Sequence, residues 1–449
     1  MALTPLDGRY AHFVAPLLEH LSEDALIRKR IAVEIAWFLA LSREPSVTGL
    51  PAVGDGEAAA LEAWAANLSD ADLAAVRQIE RTIKHDVKAV EYFVKRRVAD
   101  SGLAQYVEYV HFGCTSEDIN NVSYALMLRG GFAVWMAAAE KLTGQVAELA
   151  REHKALAMLS HTHGQAASCT TLGKELAVFV YRWRRQLSQM RQAEYLGKFN
   201  GAVGCFNAHA VAYPEAPWID ISRRFVAGFG LVYNPLTTQI EPHDYMAELF
   251  NIVMRFNSIL LDFVRDMWLY ISYGYLKQRL VPGEVGSSTM PHKINPIEFE
   301  NAEANIGIAN ALFDHLAQKL LVSRLQRDLS DSSALRSIAT AAGHALVAVA
   351  MASQAVTRIA PDEAAIARDL DSGWDTLAEA LQTLMRRYGF EEPYERIKEL
   401  TRGQEVGREK LRTYIDGMDL PAEAKARLKA LTPAGYVGLA SELVDRFLE

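Results

Sequence analysis

Along most of the chain apolar residues recur at intervals of three and four, the period of an amphipathic helix. The spacing predicts helices over Ser22 to Leu41 and Asp70 to Val98, separated by the turn-forming stretch REPSVTGLPAVGDGE. Beyond HFGCTSEDINN the elements lengthen. Ser116 to Arg151, Thr171 to Tyr195 and His243 to Leu280 read as long helices, with Gly130–Gly131 as a weak point in the first. In the last of them Met246, Leu249, Phe250, Val253, Phe256, Leu260, Phe263, Met267 and Ile271 form a stripe of near-heptad period. So long a stripe needs equally long partners, which predicts a bundle of roughly parallel helices able to pack against other subunits as well. After Thr357 the chain becomes more charged, and APDEAAIARDL, FEEPYERIKEL and LPAEAKARLKAL read as shorter amphipathic helices. The expected fold is all-α. It has an N-terminal helical domain over 1–110, a long-helix bundle over 111–357 and a C-terminal helical domain over 358–449.

No run of short alternating segments calls for a large sheet, and no glycine-rich strand-to-helix turn suggests a dinucleotide site. Half of the 449 residues are hydrophobic and 23% are charged, a balance that argues for an ordered protein with a large core. The formal charge of −8 is spread along the chain without a basic block, which argues against nucleic acid as a partner. An anionic small molecule stays open, because a cleft can gather a few cations against the overall sign. Cys114, Cys169 and Cys205 fit neither a disulfide framework nor a metal site, so a reducing cytoplasm is expected. The N-terminal MALTPLDGRYAHFVAPLL lacks the pattern of an export signal. Ser337 to Thr357 is uncharged and long enough to span a bilayer, but alanine dominates it with Ser, Thr, His and Gln interspersed. A close-packed helix within a protein bundle is the expectation, and no membrane partner is expected.

Five polar islands interrupt the helical pattern. DGRY (Asp7 to Tyr10) reads alone as a turn, and KHDVKAVEYFV carries a histidine, His85, that reads alone as solvated or capping. HFGCTSEDINN places Thr115 and Ser116 ahead of two acids at a helix start, where they cap the helix and where an anion is also welcome. SHTHGQAAS sets His161 and His163 two residues apart. No carboxylate or Cys completes a zinc site there, and a proton-transfer histidine suits the glycine that follows His163. The fifth, GEVGSSTMPHKINP (283–296), is stiffened by Pro291 and Pro296 and hinged at Gly283 and Gly286, as a lid would be. Its Ser287 and Ser288 are unreactive unless closure desolvates them beside donors. Lys293 suits a carboxylate, and Glu300 downstream suits the orienting of a histidine.

GSSTMPHKINP resembles the signature loop of the fumarase/aspartase superfamily, matched at Gly286, Ser287, Met290, Lys293 and Asn295. Together with DGRY, KHDVKAVEYFV, THGQ, TTQIEPHDY and RLQRDLSDSS, the His in MPHK makes nearly the whole chain similar to the longer bacterial type of adenylosuccinate lyase. The resemblance implies a cytoplasmic homotetramer whose active sites each draw on three subunits. It also implies β-elimination of fumarate from adenylosuccinate to give AMP, and from the succinylated aminoimidazole carboxamide ribotide. Carried over by motif, Ser287 is the base that removes the β-proton. His163 is the acid that protonates the leaving nitrogen, with Glu300 paired to it. Lys84, His85 and Asp86 come from the KHD motif, where His85 orients the phosphate. Arg9, Tyr10, Thr115, Ser116, Gln239, Lys293, Asn295, Arg327, Ser332 and Arg336 bind phosphate, base or carboxylates. The chemistry needs fixed donors around a developing aci-carboxylate and a proton for the leaving nitrogen, and no metal or organic cofactor. Two positions depart from the family pattern: His161 where Arg is common, and Ala166 where Pro is usual. His161 leaves two histidines for the proton transfer, with His163 favoured. A sister lyase acting on argininosuccinate, aspartate or malate, or a non-catalytic structural relative, is the alternative reading.

Overall fold

The structure, a computed structural model, describes residues 2–279, 283, 289–290, 292–401 and 406–448. The described chain is overwhelmingly helical, with three two-stranded sheets. The N-terminal helices are α1 (Ala11–Leu21), α2 (Glu23–Ser42), α3 (Asp55–Ala66), α4 (Asp70–Ile83) and α5 (Asp86–Val98). The long helix α6 (Ser116–Glu152) leads to a hairpin, β1 (Ala157–Thr162) and β2 (Gln165–Thr171), and then to α7 (Leu172–Gln192). The parallel pair β3 (Leu196–Gly197) and β4 (Val232–Tyr233) flanks the short α8 (Asn207–Ala212) and α9 (Trp218–Gly228). Next come α10 (Asp244–Ser272), β5 (Leu276–Gln278), α11 (Ile297–Lys319), α12 (Ser330–Leu335), α13 (Ile338–Arg358) and β6 (Ile359–Pro361), which pairs with β5. The C-terminal helices include Glu363–Ser372, Ala378–Arg387, Pro393–Thr401, Arg408–Asp416, Ala422–Ala430 and Ala440–Phe447. Several of these close around a separate apolar core that contains Leu381, Met385, Leu411, Ile415 and Leu428.

The chain divides into two compact units, each assembled from three stretches. The first comprises 1–139, 186–257 and 304–348, and the second 140–185, 258–303 and 349–449. The predicted stripe of α10 is buried in both. In the first unit Phe250 and Phe256 meet Phe132 and Trp135 of α6 and Phe313 of α11, with ring centroids 5.1 to 6.4 Å apart. In the second, Phe263 meets Phe179 and Trp183 of α7 at 5.3 Å and Phe299 of α11 at 6.3 Å. Each such side chain removed from water contributes about 1.5–3 kcal/mol, which is why the stripe holds the long helices in place. The alanine-rich segment packs as expected: α6 and Ser330–Arg358 are each long and apolar enough to cross a bilayer, but 67% of the apolar window of the latter is buried within the protein.

Four sequence expectations need correction. The helix predicted over Asp70 to Val98 breaks at Lys84, whose backbone is left-handed (φ 59°), and restarts with His85 as N-cap. Gly130–Gly131 does not weaken α6. A Cβ at Gly131 would fall 2.7 Å from the side chain of Leu21, and one at Gly130 would fall 2.4 Å from His20, so these glycines let α1 approach. The helix predicted to run to Leu280 stops at Ser272, because Gly274 turns left-handed (φ 77°) and the chain enters β5. SHTHGQAAS, read only as a polar island, is the bulged hairpin β1–β2.

Candidate active site

Several of the predicted site residues in the first unit connect to the start of α6. There Glu117, Asp118, Asn120, Asn121 and Ser123 are all buried, although a helix start of such polarity would ordinarily face water. Each polar group has an answer. Asp118 pairs with Lys198 at 2.9 Å, both side chains being fully buried. It also accepts from the backbone N–H groups of Thr115 (2.8 Å), Asn200 (2.9 Å) and Gly201 (3.2 Å). Asn121 accepts from the Lys198 N–H and donates to the Lys198 carbonyl. These bonds fix the loop before α6 against the segment after β3. Among the described residues the hydroxyls of Thr115 and Ser116 have no hydrogen-bond partner, and they stand at the helix start.

From Glu117 a second set of bonds spreads outward. Its carboxylate takes Arg327 at 3.0 Å and the amide of Asn120 at 2.6 Å. Burial pushes the Glu117 carboxyl above the ordinary carboxylate range, against the opposing pull of Arg327. Arg327 also reaches Asp331 (3.2 Å), Ser332 (3.1 Å) and Gln239 (3.5 Å), which a planar guanidinium with five donors does more readily than an ammonium. Asn120 accepts from Arg30 (2.9 Å), Arg30 pairs with Asp86 (2.8 Å), and Asp86 lies 3.7 Å from Arg336. Burial raises the Asp86 carboxyl, but Arg30, the Val87 N–H and Arg336 outweigh it and hold the group below its usual range. One connected network therefore joins Asp86, Gln239, Arg327, Ser332 and Arg336. His85 is exposed, its Nδ1 accepting from the Lys88 N–H, and Lys84 stands beside it at the corner between α4 and α5. Arg9 is exposed, and Tyr10 caps α1.

The remaining predicted residues belong to the second unit. His163 and Gly164 form the two-residue turn of the β1–β2 hairpin, both left-handed (φ 56° and 73°), which carries the His163 imidazole at an exposed tip. His161 is held differently. Its ring stacks on Tyr273 with centroids 5.0 Å apart, and its Nδ1 is buried without a partner among the described residues. Glu300 stands on the first turn of α11 and accepts from the Trp268 indole at 3.2 Å. Among the described residues His163 and Glu300 share no hydrogen bond or ion pair. Lys293 is exposed and Asn295 half-buried, just ahead of α11. Ser287 and Ser288, with Gly286 and Pro291 of the expected lid, lie outside the described residues.

Sequence reasoning missed the supports. Arg30, Asn120 and Asp331 bridge the residues predicted to bind, and Asp118 and Lys198 anchor the loop. Charged residues default to the surface in a sequence reading, and the pairs here are far apart in the chain. The one local signal was two acids and, after Ile119, two asparagines ahead of an apolar run.

Comparison with known proteins identifies the family. A lyase family model matches residues 8–309, and an adenylosuccinate lyase C-terminal model matches residues 323–437. Adenylosuccinate lyase of Haemophilus influenzae is 49% identical over 447 residues, covering 99% of this chain and 98% of that protein. The adenylosuccinate lyase of Escherichia coli K12 is 49% identical over 450 residues, with the same coverage. Among solved structures, a fumarate lyase from Mesorhizobium sp. BNC1 superposes with a TM-score of 0.77 at 20% identity over 97% of each chain, a likeness of fold.

Proposed function

The chain belongs to the adenylosuccinate lyase family, an enzyme family of the fumarase/aspartase superfamily, and from that premise we propose how its residues divide the reaction. In the proposed homotetramer, whose sites each draw on three subunits, substrate enters with its dicarboxylate toward Thr115 and Ser116 of one subunit and Lys293 and Asn295 of another. Its nucleotide portion lies toward Arg9, Tyr10, His85, Gln239, Arg327, Ser332 and Arg336. Ser287 removes the β-proton of the succinyl group. The electron pair moves into the neighbouring carboxylate, and the fixed donors around that group stabilise the aci-carboxylate. The pair then returns to form the double bond of fumarate as the C–N bond breaks. His163 gives its proton to the leaving nitrogen, which departs as the amino group of AMP. Glu300 orients the His163 that it meets in the assembled enzyme. The same groups serve the succinylated aminoimidazole carboxamide ribotide, whose reacting half is identical.

The observation that carries this reading is the network running from Gln239 through Arg327, Glu117, Asn120 and Arg30 to Asp86 and Arg336, set around the two unpartnered hydroxyls at the start of α6. A catalytic homotetramer with shared sites suits the exposed, separate placement of His163 and Glu300 in one chain. A three-domain division at 110 and 357 and a cytoplasmic setting complete the proposal. The three thiols are free, as a reducing compartment requires. Incubating purified protein with adenylosuccinate, and separately with argininosuccinate, aspartate and malate, tests it. Equimolar AMP and fumarate from the first alone is the expected result. Inertness toward adenylosuccinate in a folded assembly would remove the reading.

A further inference from the structure

Beside the network, α2, α4 and Arg336 enclose a cleft of about 450 Å³. Five cations line it: Arg30, Arg77, Arg81, Lys84 and Arg336. Three carboxylates, Glu23, Glu80 and Asp86, do not balance them, and Leu26 and Ile27 supply an apolar wall that strengthens any charge interaction nearby. The commitments of these groups are unequal. Arg30 is held by Asp86 and Asn120, Arg336 by Glu23 (2.8 Å) and Asp86, and Arg77 by Asp24. Glu23 and Asp86 are thereby already answered. Among the described residues the side chains of Arg81 and Lys84 hold neither an ion pair nor a hydrogen bond. Arg77, Arg81 and Lys84 follow one another at intervals of four and three, so α4 presents them along one face. The left-handed turn at Lys84 stops the helix there and leaves its ammonium at the mouth of the cleft.

On the adenylosuccinate reading the KHD corner and Arg336 already belong to the nucleotide subsite; we propose that Arg81, which no motif singles out, extends it as the capture residue of the phosphate, with Lys84 as the second free cation. The proposal rests on the adenylosuccinate reading and adds to it a residue that sets preference for a phosphorylated over an unphosphorylated ligand. A guanidinium matches the phosphate fork, and a cation with no partner loses no existing bond when the anion arrives. Because Arg81 meets the phosphate and not the succinyl group, it contributes to binding equally before and during elimination, and its loss raises KM without lowering kcat.

The test is calorimetric binding of AMP, adenosine and fumarate to the full chain and to Arg81→Ala and Arg81→Glu, alongside turnover of adenylosuccinate. Arg81→Ala is expected to weaken AMP about 10-fold, and Arg81→Glu more, with adenosine and fumarate changed less than about twofold. KM should rise by the same factor at constant kcat, and the salt dependence of kcat/KM should become shallower. Arg81 is exposed, so both variants should fold with unchanged Tm. AMP affinity unchanged in both variants, an equal loss for adenosine, or no AMP binding by the parent chain overturns the proposal. A parent chain that binds AMP through Arg81 but leaves adenylosuccinate intact would sink the lyase reading and leave the phosphate site standing.

Discussion

The residues proposed for binding in the first unit and those proposed for proton transfer in the second are built in opposite ways. Gln239, Arg327, Ser332, Asp86 and Arg336 are bonded to one another through buried carboxylates and amides, so their positions are set before any ligand arrives. His163 sits at an exposed hairpin tip, the Glu300 carboxylate meets, among the described residues, an indole N–H, and Lys293 is exposed. The difference teaches that folding fixes the groups proposed for recognition, while on the proposed reading those for the chemistry wait on assembly. Preorganised donors cost nothing at the moment of reaction, whereas a proton donor must be desolvated to be effective, and an exposed turn is desolvated only by something arriving on it.

The comparison breaks most visibly at His163. His163→Gln is expected to lower kcat about 10²- to 10⁴-fold with KM little changed, measured by steady-state turnover. His161→Gln should stay within about tenfold of the parent, because its ring is stacked on Tyr273 with one nitrogen sealed away from substrate. A larger loss at His161 than at His163 would transfer the acid role to the stacked histidine.

In the recognition half the largest effect is on stability. Asp118→Ala leaves the Lys198 ammonium buried and alone and strips three backbone N–H groups of their acceptor. Denaturant titration should show a loss of about 3–5 kcal/mol. The double variant Asp118→Leu/Lys198→Met should recover part of it, since an apolar pair removes the orphaned charge. If the single variant lost less than about 1 kcal/mol, the buried pair would not be what anchors the loop before α6.

Acid should loosen the same half. His243 is buried and left-handed (φ 67°), and burial drives its pKa down to about 4, with Asp331 and Asp244 pulling it up and Arg327 pushing it down. Among the described residues its Nδ1 has no partner, and a hydrogen bond to the Leu320 backbone also opposes the shift. The imidazole is therefore neutral in the fold but protonates near pH 6.5 in the unfolded chain. Between those values the unfolded state binds the extra proton, so this contribution is complete above pH 6.5 and is lost as pH falls toward 4, to about 3 kcal/mol in all. Asparagine tolerates the left-handed backbone, and His243→Asn should flatten the Tm-against-pH curve over that window. An unaltered slope would assign the acid sensitivity elsewhere.

These supports mark how far the sequence could be read. The period of the stripe from Met246 to Met267 predicted the long helix and its partners because apolar spacing survives into the fold almost unaltered. The polar islands were visible because rare polar clusters stand out against helical sequence, and the structure joins five of the residues proposed for binding in one network. What escaped was long-range or conformational. Lys198 lies 80 residues from Asp118 and Arg30 lies 90 from Asn120, and no local pattern announces such a pairing. The break at Lys84 was hidden because lysine is a good helix former, and only its tertiary setting turns the backbone.

The smallest effect belongs to an exposed pair near the proton-transfer group. Arg265 meets Glu303 at 2.7 Å, one helical turn from Glu300, with the two side chains 59% and 42% exposed. The bond is as short as those of the buried network, so distance alone would rank it equal to Asp118–Lys198. Solvent screening and the entropy of two long side chains decide otherwise, and a double-mutant cycle of Arg265→Ala with Glu303→Ala should return a coupling below about 0.5 kcal/mol. Raising salt from 0.1 to 1 M should erase it, since the Debye length shrinks from about 10 to about 3 Å. Turnover should be unchanged in all three variants, because neither side chain holds Glu300. A coupling near that of the buried pair would mean that the second unit is as rigidly prearranged as the first, and the contrast between the two halves would collapse.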